Sequence, residues 1–419
     1  MLLALLALLG AIGMAFVVPI AAPPPSSTTK YFPDPGGSLC GEFQPVLGTH
    51  GYVESCDSPT FMAEFQHPWF LLHERDQRQS RPLFVLAGTA TTALASPVAL
   101  VVGTSALRLG AQLLNALLLA AAVVIAWALL RAAGVGTDLR VAVTALLVVN
   151  DVTKASVWSA HTQMMNIVVP LAVTALAYLV LDRPRMRTAR FWLLGLACGL
   201  GFLASGFFLV GLPVLVIARL IALRRSAPLT ARRSLGEAFG CAIAFAAPVV
   251  AWVGAVRLVV GSFYSHETAR YRQFVWILDA LGRGIDRFAE RLGTFSGRFG
   301  DTLGTRDLPP VLALAVLIGI AFLVQEIRRL QSDTHHDRRA RDLALAAVLT
   351  TGGFALFLWL LGYYQPRLTF ALAPPLLLIV ALQLEQLRRR WPRAVGAAAL
   401  LTSAVWIVLH VVSAGPYDS

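Results

Sequence analysis

The sequence predicts an all-α fold: a polytopic transmembrane helical bundle of about 11–13 spans, with a large structured first external loop and an external amphipathic helix. Three observations carry this. Of 419 residues, 57% are apolar and only 14% charged, against about 25% charged in a soluble domain, and the mean hydropathy is +0.68. Apolar runs recur at the roughly 17–25 residues needed to cross a hydrocarbon core of ~30 Å as a helix, and nothing alternates as the strands of a membrane barrel must. The formal charge of +12 lies in short arginine tracts between those runs, the positive-inside pattern, rather than along one soluble face. No nucleic-acid partner is therefore expected. The lipid bilayer of a cell membrane is, crossed many times with the main loops external.

Residues 1–22 form the first transmembrane helix. No charged n-region precedes the run, so it reads as a retained anchor, with a cleaved signal peptide as the competing reading. Residues 23–81 form the external loop, where Phe43, Tyr52, Phe61, Phe65, Trp69 and Phe70 supply enough apolar surface to pack it. Cys40 and Cys56 share that loop and are expected to pair as a disulfide on export, whereas Cys198 and Cys241 fall in or beside apolar segments.

Residues 82–261 form a transmembrane bundle, with apolar stretches near 82–103, 105–132, 139–158, 161–182, 191–223 and 236–261. The stretch 191–223 is too long for one span. Arg183, Arg185, Arg187 and Arg190 precede it and Arg224, Arg225, Arg232 and Arg233 follow it, so both ends are expected inside and the stretch should fold as two short spans. Glycines 195, 199, 201, 206 and 211 allow that break and close helix packing.

Residues 262–308 form a second external loop and 309–419 the C-terminal transmembrane helices, near 309–327, 342–361, 367–386 and 394–413. An inside N-terminus and an outside C-terminus require an odd number of spans, so a tally of twelve is one off. The stretch 82–103, with its Thr/Ser/Pro content, is expected to be a broken helix. In the second loop Phe274, Leu278, Leu281, Ile285, Phe288, Leu292 and Phe295 keep a four-three spacing, with Arg283, Asp286, Arg287, Glu290 and Arg291 opposite. This predicts an amphipathic helix on the membrane surface, over a cavity mouth, or packed on the domain. No convincing internal repeat appears, which disfavours transporters built from inverted halves.

Polar residues in such a chain are costly without partners, so their positions map function. The first cluster ends the large loop: Asp57, Glu64 and His67, then His73 through Arg81 with Glu74, Asp76, Arg78 and Arg81. It reads either as a mutually neutralised salt-bridged patch or as a site where one carboxylate accepts a proton from an acceptor hydroxyl while arginine holds a phosphate. The second cluster is Asn150, Asp151, Lys154, Trp158, His161, Gln163 and Asn166 at a junction of apolar segments. It would line a watery cavity and bind a ligand, or Asp151 and Lys154 would merely steady a helix end. The third is Tyr363, Tyr364, Gln365, Pro366 and Arg367, an interfacial belt with a snorkelling arginine or a grip on a lipid-linked phosphate. No Walker loop, zinc spacing or GxSxG elbow occurs, so no cofactor is expected and a divalent metal is not indicated.

The layout resembles the GT-C superfamily of polytopic glycosyltransferases, the group of the protein mannosyltransferases and aminoarabinose transferases. The resemblance consists of the apolar first span, the long acidic first loop, Arg81-Pro82-Leu83 opening the next span, the glycine-rich pair of short spans from Gly195 to Gly211, and the late Tyr363-Tyr364-Gln365-Pro366-Arg367. It implies an external site that moves a sugar from a polyprenyl-phosphate donor to a glycan, lipid or protein acceptor in the cell envelope. A first-loop carboxylate would be the base and inversion would follow. Members of the family carry an acidic pair soon after the first span, where Asp34 stands alone here, so Asp57, Glu64, Glu74 and Asp76 all stay candidates. Arg78, Arg81, Asn150, Asp151, Lys154, His161, Gln163, Tyr364 and Arg367 are the corresponding candidates for binding substrate. The alternatives are a transporter or flippase of a lipid-linked or anionic solute, and a non-catalytic membrane subunit. Between them, polar residues gathered at an external mouth favour the enzyme, and polar residues at mid-bilayer on several helices favour the transporter.

Overall fold

A computed structural model describes residues 2–20, 42–48, 50–55, 57–73, 78–226, 230–269, 271–303 and 335–412. The described chain is helical apart from one hairpin, and eight of its helices are long and apolar enough to cross a membrane by length and composition. This is the polytopic helical bundle expected. The apolar run 309–327, Cys40, Cys56, Glu74 and Asp76 lie outside the described residues. By contact the chain divides into two compact units, the first being Met1–Pro68, Val85–Val168 and Ala381–Ser419, the second Trp69–Phe84 and Val169–Val380.

In the first unit, α1 (Leu2–Val17) leads to an antiparallel hairpin, β1 (Glu42–Leu47) with β2 (His50–Glu54), and to α2 (Ser58–Gln66). Tyr52, Phe61 and Phe65 are buried, as a packed loop requires. Trp69 is not: just past this unit, it is 52% exposed, against the expectation that it helps pack the loop. Two helices follow, α3 (Pro82–Val102), which enters the unit from Val85 on, and α4 (Ala106–Ala132). Contrary to the expectation of a break, α3 is continuous, with Pro97 inside it.

First-loop elements hold both of these helices. The ring of Phe65 lies where a Cβ on Gly88 would come within 2.2 Å, and the Thr89 hydroxyl donates to the Phe65 carbonyl at 2.9 Å. In the first turn of α4, Arg108 reaches Glu54 at the end of β2, at 3.0 Å.

The stretch 139–158 is also not one span. α5 (Thr137–Val148) has 12 residues and rises only roughly 18 Å, and α6 (Asp151–Ser156) starts anew with Asn150 as its cap. α17 (Pro392–Val412) packs closely on α5, and Gly396 permits this because a Cβ there would meet Asp138 Oδ2 at 2.2 Å.

In the second unit, the long stretch folds as two segments. α8 (Thr188–Phe202) ends before the turn 203–205, and α9 (Gly211–Ser226) follows a 3-10 turn at Gly206–Val210. α8 packs face to face with α10 (Ala231–Val260), where Cβ atoms on Gly195 and Gly199 would lie 2.7 Å and 2.1 Å from the carbonyls of Cys241 and Phe245. The second loop begins with a short helix, α11 (His266–Ala269). The amphipathic segment beyond it is broken in two, α12 (Val275–Leu281) and α13 (Ile285–Leu303). Gly284 between them has φ +112, which lets the chain turn sharply where an unbroken four-three pattern predicts a single helix. The two pieces fold onto each other, Phe288 and Phe295 packing on the buried Trp276. The second unit continues through α14 (His335–Leu361), α15 (Pro366–Thr369) and most of α16 (Ala373–Arg388). α7 (Met165–Asp182) begins in the first unit and continues in the second.

Candidate functional site

The predicted site residues fall into two polar clusters, one in each unit.

The second unit's cluster is built on Gln79, which is 1% exposed. Its side chain donates to the Leu71 carbonyl at 3.1 Å and accepts from the Tyr264 backbone N–H at 2.8 Å, while its own carbonyl accepts from the Trp252 indole at 2.7 Å. Clamped this way, the next two residues meet Glu267 in the first turn of α11. Ser80 Oγ donates to Glu267 Oε2 at 2.9 Å, and the Arg81 guanidinium lies 2.7 Å from Oε1. Burial alone would raise the Glu267 carboxyl. The Arg81 charge, a backbone amide, the Ser80 hydroxyl and the Arg78 charge outweigh it and hold the group at about 2. Glu267 is therefore a permanent anion whose oxygens are taken up in fixing arginines.

The same short segment turns back through Arg272 and Phe274, both at positive φ (51° and 60°), a conformation that bulky residues hold only when their surroundings enforce it. Tyr271, just before them, stacks on Tyr363 with ring centroids 4.3 Å apart. Burial pushes the Tyr363 hydroxyl up to about 12, opposed in part by the Arg367 charge. The loop from Tyr264 to Phe274 thus meets Arg81 and Arg78 through Glu267, and through the Tyr271–Tyr363 stack it meets the start of α15, which carries Arg367. Of these arginines, Arg81 pairs directly with Glu267 and Arg78 acts on it by charge. Tyr364, by contrast, packs on Phe295 and Phe299 of α13 and fixes that helix.

The first unit's cluster pairs a first-loop carboxylate with an imidazole. Asp57 precedes α2 without capping it by its side chain, and its Oδ2 lies 2.9 Å from His161 Nε2. His161 Nδ1 accepts from the Gln163 backbone N–H at 3.2 Å, so the neutral ring carries its proton on Nε2 and donates to Asp57. Gln163 accepts in turn from Asn166 at 2.6 Å, and Phe61 packs edge-on to the imidazole. The Asp57 side chain is 35% exposed and His161 only 5%, a carboxylate at the surface oriented by a buried ring.

Asn150, Lys154 and Asp151 do other work. The Asn150 side chain accepts from the Thr153 N–H at 3.0 Å, Lys154 Nζ donates to the His410 carbonyl at 2.8 Å, and Asp151 stands 3.9 Å from His410 Nε2. Asn150 caps α6, Lys154 and Asp151 join α6 to α17 at His410, and nearly all of residues 150–168 are buried. Asn115 fixes the same region by donating to the carbonyls of Ser156, Val157 and Ser159. Glu64 is wholly buried on α2.

Sequence reasoning missed Glu267 and Tyr271. Glu267 is the sole carboxylate between Arg257 and Asp279, in Tyr264-Ser265-His266-Glu267, directly after a span, and that isolation was the available signal. Among the described residues, Arg81 pairs with Glu267, a partner distant in sequence; Glu74 and Asp76 of the expected patch lie outside the described residues.

No protein-family model matches the chain, and no curated protein matches it either. Among solved structures, the chain is similar to an Archaeoglobus fulgidus oligosaccharyltransferase tethered through a disulfide bond to an acceptor peptide containing the NVT sequon, at 13% identity and a TM-score of 0.46. The match covers 99% of this chain and 54% of that one, so this chain spans about half the length of the protein it is similar to.

Proposed function

We propose that the protein is a membrane glycosyltransferase that moves a sugar from a polyprenyl-phosphate-linked donor to an acceptor hydroxyl or amide on the external face of a cell membrane. One observation carries this reading: Arg81 pairs with Glu267, Arg78 acts on the same carboxylate, and the Tyr271–Tyr363 stack joins that loop to the start of α15, which carries Arg367, all at the ends of apolar helices. Guanidinium groups match phosphate oxygens and keep their charge at every relevant pH, so such a cluster suits a lipid-linked phosphate.

In the reaction, the acceptor heteroatom attacks the anomeric carbon, the bond from that carbon to the phosphate oxygen breaks, and polyprenyl phosphate leaves with the electron pair. The acceptor's proton passes to a carboxylate, and the sugar carbon is inverted. Arginines offset the charge that grows on the leaving phosphate. Each role is assigned on the cluster's own chemistry. Asp57 suits the base, being surface-reaching and oriented by His161, while Glu64 is wholly buried and Glu267 is committed to Arg81.

The test is sugar transfer by the purified full chain with polyprenyl-phosphate sugars and a panel of glycan, lipid and peptide acceptors. Asp57→Asn and Arg81→Gln are each expected to lower turnover by about 100-fold or more with folding retained, the scale of losing a base or a charge-stabilising donor. Retention of full turnover by both variants, or failure of the wild type to bind any polyprenyl phosphate, would remove the reading.

A further inference from the structure

The second unit carries another built feature at the opposite ends of α8 and α10 from the turn 203–205. A cavity of about 750 Å³ is lined by four arginines of the connection between α7 and α8 (Arg183, Arg185, Arg187 and Arg190), by Arg225 at the end of α9, and by Arg338 and Arg339 at the start of α14. Asp182 is the one carboxylate in the lining. Arg225 and Arg338 are taken by the buried Asp342, and Arg339 stands 3.9 Å from Asp182. The other four guanidinium groups are exposed and have no carboxylate within ion-pair distance among the described residues.

The connection is fixed from beneath. Arg219, 1% exposed, donates to the carbonyls of Pro184 and Met186 and pairs with Glu237 at 2.9 Å, and Glu237 also accepts from the Thr188 hydroxyl at 2.9 Å. Holding residues 184, 186 and 188 inward turns 183, 185 and 187 outward, as their exposures alternate. A positive rim of this kind is not an accident of a floppy loop, because its backbone is tied to a buried ion pair.

Immediately beside it, α8 and α10 form an apolar groove of about 540 Å³ that runs from Thr188 and Glu237 past Trp192, Phe239 and Ile243. Trp192 packs against Gly240, where a Cβ would meet its ring at 2.2 Å, and Phe239 and Ile243 are 69% and 54% exposed. The chain passes from cavity lining at Arg187 to groove lining at Thr188 and Trp192 within about one helical turn.

We propose that this end of the second unit binds a membrane phospholipid with an anionic, phosphate-bearing headgroup, the headgroup in the arginine cavity and an acyl chain along the α8–α10 groove. Charge complementarity selects the headgroup, and continuity with an apolar groove on a lipid-crossing helix selects a lipid over a soluble anion. The site is separate from the cluster around Glu267 and does not depend on the activity proposed above.

Native mass spectrometry of the full-length protein, after incubation with micelles containing phosphatidylglycerol or phosphatidylcholine, tests this. Phosphatidylglycerol is expected to be retained about tenfold or more over phosphatidylcholine, and Arg183→Gln/Arg187→Gln/Arg190→Gln to bring the two level. Arg389→Gln/Arg390→Gln, removing two exposed arginines of the other unit, should leave the preference intact, and Phe239→Ser/Ile243→Ser should weaken retention without touching a charge. Equal retention of the two lipids by the wild type overturns the proposal. So does full displacement of phosphatidylglycerol by millimolar inorganic phosphate together with no effect of the groove variant, which would assign the cavity to a soluble phosphate.

Discussion

Glu267 shows how one ionisable side chain links site geometry to stability. Its carboxyl is held at about 2 against an ordinary 4.5, because the Arg81 charge first, then a backbone amide and the Ser80 hydroxyl, overcome its burial. A carboxyl held below its ordinary value stabilises the fold in full above about pH 4.5, and that contribution is lost as pH falls toward about 2. The contribution at neutral pH is about 3 kcal/mol. Glu267→Gln is therefore expected to lower the melting temperature of the detergent-solubilised protein at pH 7 and to flatten the wild-type decline between pH 4.5 and 2; an unchanged acid limb in the variant would show that Arg81 does not carry the effect. Arg219 and Glu237 make a sharper case, since both are almost fully buried. Glu237→Leu alone should cost about 3–5 kcal/mol by leaving a buried guanidinium uncompensated, and Arg219→Met with Glu237→Leu should recover most of it. Chemical denaturation of the two variants measures the difference, and equal losses would mean that the pair is not coupled.

At the level of elements, glycine spacing decides how α8 meets α10. Positions 195 and 199 share one face of α8, and a side chain at Gly199 would have to displace the backbone of Phe245, which cannot yield as a flexible side chain can. Gly254, also in α10, meets nothing within 4 Å. Gly199→Leu is expected to abolish the folded fraction recovered by size-exclusion chromatography while Gly254→Leu leaves it unchanged, and equal recovery of both would show that close approach of the two helices is dispensable. The break at Gly284 follows a similar logic in reverse. Hydrophobic spacing across it is continuous, yet the left-handed turn lets α13 fold back so that Phe288 and Phe295 cover Trp276. Burial of an aromatic cluster there outweighs the continuity of one helical stripe.

At the scale of the whole chain, the arginine tracts predict sidedness. Ser226, at the end of α9 beside Arg225, and Ser265, just ahead of Glu267, are expected to face opposite sides of the membrane. Single cysteines at these two positions, in a background lacking Cys40, Cys56, Cys198 and Cys241, should label with an impermeant thiol reagent from opposite vesicle orientations; labelling of both from one side would reverse half of the topology. Composition and the length of the apolar runs determined by themselves that this is a polytopic helical membrane protein, because lipid admits few backbones and helices must be about as long as the bilayer is thick. The split of 191–223 was equally legible, since like charges flank a stretch too long for one crossing. His161, Arg81 and Arg367 could be named from their positions at the ends of apolar runs and Asp57 as a carboxylate of the first loop, but not their partners. Only the tertiary structure decided that Asp57 meets His161 across 104 residues, that Arg81 meets Glu267 from a distant loop, and that Lys154 reaches the His410 carbonyl. It decided these because an ion pair or hydrogen bond depends on distances between side chains, which local periodicity does not encode, whereas the cost of exposing a backbone to lipid is written into every residue of a run.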